Sequence, residues 1–243
     1  MVITRLIVTT LAVLFAASSY AQTDSERTAM PSKGLVWGSK MTNEAGPCCA
    51  ASGGKAADPT EAAVLAKLPG HASRDADILR LSLEGGRTLK ITDCWDETAC
   101  EADRFRRHRL AAWWPEARLY VVNVGLYEAG EAYLISEKDG RTTQVAAPPV
   151  LSPSGQHAVA LQSNPMVGVV LNVIDLTTEP PKVVEVDDMP TCSGSGPDSL
   201  LRPKPVWVDD SHVRFEGVSL QPGDKPNSKQ LLKIGGGKPA WEC

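Results

Sequence analysis

Arg104, Arg106, Arg107 and Arg109 give the chain its densest concentration of one chemistry. They surround Phe105 and His108 and follow directly on the segment Cys94-Trp-Asp-Glu-Thr-Ala-Cys100. A guanidinium grips carboxylate or phosphate through paired N–H donors. Together with Trp95 as an apolar anchor, the cluster predicts a surface for an anionic ligand or an acidic protein partner. The competing reading is a solvated strand or helix face, its charge compensated by Asp96, Glu97, Glu101 and Asp103.

Other candidate chemistry is thinner. The histidines are His71, His108, His157 and His212. His157 and His212 precede similar apolar runs, which places them at equivalent turn edges, on different units, and not in one metal site. Ser193-Gly-Ser-Gly lacks the strained elbow or adjacent base that activates a serine. Asp187-Asp188 and Asp209-Asp210 fall at strand ends, where aspartate makes turns. Gly235-Gly-Gly-Lys has no following Ser or Thr, so it is not a phosphate loop. No catalytic residue, metal ligand or cofactor is assigned from these patterns.

The N-terminus predicts export. Arg5 is followed by an apolar run from Leu6 to Ala17, then by Ser19-Tyr20-Ala21 before Gln22. That is the layout of a cleavable signal peptide, and the run is shorter than the roughly 18–20 residues of a spanning helix. Cleavage after Ala21 leaves 222 of the 243 residues, with 24 basic against 29 acidic. So mild a negative balance argues against a general nucleic-acid or membrane-surface binder. All six cysteines, Cys48, Cys49, Cys94, Cys100, Cys192 and Cys243, lie beyond the signal, so a periplasmic or secreted location favours disulfides. Cys94 with Cys100 and Cys192 with Cys243 are the expected pairs. The partners of Cys48 and Cys49 stay open.

The elements that must position these groups read as β. Residues 22–58 are Ser-, Thr-, Gly- and Ala-rich and predict a poorly ordered lead-in, with Leu35-Val36-Trp37 as the only apolar patch. One short helix follows, with Asp58 as cap, Pro59 at its first position and Glu61 placed for a capping box. From residue 76 onward short alternating runs are separated by turn residues, among them Gly85-Gly86 and Asp139-Gly140. Thr98 to Leu110 reads instead as a charged helix.

Pro115-Glu-Ala-Arg-Leu-Tyr-Val-Val and Pro153-Ser-Gly-Gln-His-Ala-Val-Ala align at an offset of 38 residues, and Tyr133-Leu-Ile-Ser aligns with Leu171-Asn-Val-Ile at the same offset. A looser third copy starts at Trp207. These spacings predict units near 76–111, 112–148, 149–186 and 203–243, arranged as a small or open β-propeller-like array of three to four antiparallel units. A β-sandwich is the alternative.

The segment 149–176, with Ser-Pro-Ser-Gly opening one strand and Val-Ile-Asp-Leu closing another, resembles the Ser-Pro-Asp-Gly repeat of TolB-type and WD-type propellers. Ser154 stands where that repeat has Asp, and the other copies lack its Gly. The resemblance implies a binding platform. The expected function is therefore a non-enzymatic periplasmic or secreted binding module, with an inhibitor or immunity protein as its specific form. A cell-envelope hydrolase or lyase, with a site built from loops, is the alternative from another class.

Overall fold

The computed structural model describes residues 35–36, 58–94, 105–126, 129–164, 168–186, 200–219, 231–235 and 238–242. The segment expected to be a signal peptide, Trp95, Cys100, Arg104, Cys192 and Cys243 lie outside them.

The described chain is mostly β, with one helix and four antiparallel sheets. A two-residue strand, β1 (Leu35–Val36), comes first. Helix α1 (Pro59–Leu65) follows, and the Asp58 carboxylate caps it by accepting from the amides of Thr60 and Glu61. The first sheet holds β2 (Ala72–Asp75), β3 (Ile78–Ser82) and β4 (Thr88–Thr92). The second holds β5 (Arg107–Trp114), β6 (Leu119–Gly125), β7 (Gly130–Ser136) and β8 (Arg141–Val145), with β1 added to the outer edge of β8. The third runs through β9 (Val150–Leu151), β10 (His157–Asn164), β11 (Gly168–Asp175) and β12 (Lys182–Glu185). The fourth runs through β13 (Leu200–Trp207), β14 (His212–Ser219), β15 (Leu231–Lys233) and β16 (Ala240–Glu242). Apart from β1, neighbours in each sheet are neighbours in sequence, so every sheet is a meander.

Register shows that the last three meanders share one phase. Leu119 pairs with Ser136, His157 with Asp175 and His212 with Lys233, each joining the first residue of one middle strand to the last of the next. One strand earlier, Trp113↔Tyr120, Leu151↔Ala158 and Trp207↔Val213 correspond. The offset of 38 holds on these strands and becomes 39 across the hairpin, because Val122 faces Tyr133 while Ala160 faces Asn172. Tyr133 therefore corresponds to Asn172, and the alignment with Leu171 is corrected by one residue. Two turns need a left-handed residue. Gly140 after Asp139 and Gly155 in Pro-Ser-Gly both have φ near +75°, open to glycine without a Cβ penalty.

Three buried cores join the four sheets in chain order. Leu79, Leu81, Leu89 and Ile91 of the first sheet meet Leu110, Tyr120, Val122 and Ile135 of the second. The opposite face of the second sheet, Val121, Ala132 and Leu134, meets Ala158, Ala160 and Ile174 of the third. Val159, Leu171 and Val173 of the third then meet Val213, Phe215 and Leu232 of the fourth. The two middle sheets are thus buried on both faces, and β6 and β7 read as near-continuous apolar runs for that reason. The end sheets alternate. Thr88 and Lys90 face out from the first, and Glu216, Lys233 and Glu242 from the fourth. Each sheet thus shares a core with the next sheet in the chain.

Several expectations change. The charged helix over Thr98–Leu110 is not found at its described end, where β5 occupies residues 107–110. Period-two alternation of Arg107 and Arg109 with buried His108 and Leu110 makes this a strand. The unit boundary at 111 consequently falls inside β5, and the first unit begins at Ala72, ahead of residue 76. In the lead-in, Leu35–Val36 forms an edge strand. Among the described residues no helix is long and apolar enough to cross a membrane.

Candidate functional site

β5 is the edge strand of its sheet, and an unpaired edge exposes backbone donors and acceptors. Here the outer edge is occupied residue by residue. Arg106 forms an isolated antiparallel bridge with Cys94, whose amide donates to the Arg106 carbonyl at 2.8 Å. The His108 amide donates to Asp93 Oδ1 at 2.7 Å. The Leu110 amide donates to Glu61 Oε1 at 2.8 Å, just before the register shifts between Leu110 and Ala112. Side-chain carboxylates from β4's end and from α1 do the work of a neighbouring strand.

Two arginines balance those carboxylates. Arg74 on β2 makes a bidentate pair with Glu61 (2.7 and 3.0 Å) and reaches Asp93 Oδ2 at 3.1 Å. Arg109 Nη1 donates to the same Asp93 oxygen at 2.7 Å, and its Nε lies 3.7 Å from Asp58. Asp93 also accepts from His108 Nδ1 at 3.0 Å. Glu61, Asp93 and His108 are each 3% exposed or less. Burial opposes ionisation of Asp93. The hydrogen bond from the His108 ring, the charge of Arg74, the His108 amide and Arg109 outweigh it, holding the carboxyl below its usual value. Glu61 is thus a buried clamp between helix and strand, where sequence suggested a capping box.

The predicted binding cluster is divided by this network. Arg109 is spent inside it, with its side chain 18% exposed. Arg106 and Arg107 are half-buried at the start of β5, beside the Cys94 bridge. Trp95 and Arg104 lie outside the described residues. Cys94 is disulfide-bonded and 5% exposed. The pairings Cys94–Cys100 and Cys192–Cys243 each involve residues outside the described set.

A second polar group lies on the same face of the second sheet. Tyr133 donates to Glu131 at 2.7 Å, and Gln144 donates to the other oxygen of Glu131. Burial first, then Glu131, pushes the phenol's pKa up. The ring sits 6.2 Å from that of His108, at an interplanar angle of 42°.

His157 and His212 are the first residues of β10 and β14. Asp209, Ser211 and His212 have the residue types of a nucleophilic triad. Ser211 Oγ and both Asp209 oxygens, however, lie 3.0 Å from the same ring nitrogen, Nδ1. These three therefore lack a triad's order, which needs its hydroxyl and its carboxylate on opposite nitrogens; Nε2 faces Glu242 instead, at 3.4 Å, and Glu242 is itself paired with Lys233. The Ser211 amide and hydroxyl bind Asp209 in an Asx turn, and these contacts with His212 lower the Asp209 pKa to about 2. Among the described residues no group of three or more His, Cys, Asp or Glu is placed to hold a metal.

Sequence reasoning missed Glu61, Arg74, Asp93 and His108 as one unit. Their separation along the chain hides the cluster, and the strand period around His108 was its one visible signal. Compared with known proteins, the chain matches no family model, no curated protein and no solved structure.

Proposed function

We propose that the chain is an exported, non-enzymatic binding module that presents the surface around Arg106 and Arg107 to an acidic or anionic partner of the cell envelope. The observation that carries this reading is the ionic base just described. Cys94 and Arg106 flank residues 95–105 and are joined by paired backbone bonds, and Asp93, next to Cys94, accepts from the His108 amide, two residues beyond Arg106. A segment whose ends are pinned costs less ordering entropy when it binds, and that favours recognition. Trp95 and Arg104 belong to this segment and extend the proposed surface. Its architecture is an open, propeller-like array, supported by the shared phase of the meanders and the polar outer faces of the end sheets.

Capture from envelope extract tests the function. The wild-type chain should retain a defined partner, and Arg106→Glu/Arg107→Glu should lose it. Export is tested by intact mass: the mature chain should begin at Gln22, and a retained leader would overturn the localisation. Non-reducing peptide mapping should link Cys94 to Cys100 and Cys192 to Cys243. A different partner for Cys94 would remove the closed segment from the proposed surface.

A further inference from the structure

The opposite end of the second sheet carries a separate feature. Leu119 starts β6 there, about 20 Å along the strands from Arg107 at roughly 3.3 Å per residue. Ile135 pairs with Thr142 in the second sheet and Ile174 with Val183 in the third, so the third sheet's connection is two residues longer. The longer turn forms one wall of an open cleft of about 250 Å³ between the two sheets. Departures from a repeat commonly build its binding face. Asp175 stiffens this one by accepting from the Thr177 amide at 2.9 Å and hydroxyl at 2.6 Å.

The lining carries equal numbers of opposite charges. Arg118, Lys138 and Arg141 stand among Glu116, Asp139 and Glu179. Lys138 pairs with Glu179 at 3.1 Å, Arg141 with Asp139 at 3.0 Å, and Arg118 with Glu84 and Glu137. With every cation compensated, the cleft has no surplus charge to draw an ion. These cations are 50–57% exposed, and their pairs leave donors and lone pairs facing solvent. Leu119, Leu176, Pro180 and Pro181 supply an apolar floor. A ligand that both donates and accepts, is uncharged and has a C–H face matches such a lining.

We propose that this cleft is a saccharide subsite taking one or two neutral sugar rings, a ligand smaller than the roughly 300–1,000 Å³ pockets that hold drug-sized molecules. It goes beyond the partner surface at Arg106 and Arg107 and does not depend on it.

The test is an amide-shift titration of the mature chain with maltose, with N,N′-diacetylchitobiose and, separately, with inorganic phosphate. One of the disaccharides should shift the amides of Lys138, Thr177 and Thr178 with weak, saturable binding. Lys138→Ala/Arg141→Ala should weaken it about tenfold, the scale of losing a hydrogen bond to a charged group. Both side chains are exposed, and an otherwise unchanged spectrum shows the variant folded. Phosphate shifting these amides while both sugars stay silent, no shift with any probe, or equal sugar binding by the variant would each overturn the proposal. The same variant should still capture the envelope partner, so failure here and failure of the Arg106–Arg107 surface are told apart.

Discussion

Asp93→Ala is expected to lower folding stability by about 3–5 kcal/mol, the range for removing one partner of a buried ion pair. The substitution leaves Arg74 and Arg109 facing each other without their shared carboxylate, and it strips the His108 amide and ring of their acceptor. Asp93→Asn keeps the shape and loses only the charge, so it should fall between wild type and alanine. Urea unfolding followed by circular dichroism measures both, and a loss below about 1 kcal/mol for alanine would place Asp93 among ordinary surface carboxylates. The pH dependence follows from the sign of the shift. The Asp93 pKa is depressed below 3.8 in the folded chain, so its contribution is complete above that value and fades as pH falls through the lower folded pKa. The gap between wild type and Asp93→Asn should accordingly be widest near neutrality and close in acid.

Ile174→Ala should cost about 2–5 kcal/mol, as large-to-small changes in a packed interior do. Ile174 is fully buried between the second and third sheets, beside Val121, Leu134 and Ala158. Leu171, on the other face of the same strand, belongs to the core with the fourth sheet, and Leu171→Ala should cost as much. Lys90→Ala, on the outer face of the first sheet, should stay within about 0.5 kcal/mol. Equal tolerance at Leu171 and Lys90 would contradict a stack in which only the end sheets have a solvated face. Thermal or urea unfolding of the three variants decides it.

Strands with an apolar rhythm were legible in the sequence. Ile78–Ser82, Leu119–Gly125 and Gly168–Asp175 all carry it, because their side chains are sorted by sheet faces. Three others were not. Arg141–Val145 is mostly polar, Leu200–Trp207 contains Pro203 and Pro205, and Ala72–Asp75 has one apolar residue. Their places are set by pairing partners and not by burial. Arg107–Trp114 was misread because its charged residues suggested a helix, while the strand's charge is answered by Asp93 and Glu61 from other elements. The candidate site was legible only as an arginine-rich stretch. That Arg109 turns toward Asp93 and Asp58, while Arg106 and Arg107 stay half-buried at the start of β5, depends on residues 16 and 51 positions away from it, which no local pattern encodes.

The central claim is that Arg106 and Arg107 form a partner surface on a rigid ionic base. Its most direct test is the association rate of the captured partner at two salt concentrations, for wild type, Arg106→Glu/Arg107→Glu and His157→Ala/His212→Ala. Arg109 is left intact because reversing it would damage the base. The arginine variant should associate more slowly, with the difference largest at low salt, since screening over about 10 Å already weakens such steering at 0.1 M. The histidine variant should match wild type. Unchanged association by the arginine variant, with loss in the histidine variant, would contradict the account and move the functional site to the turn ends of the third and fourth sheets.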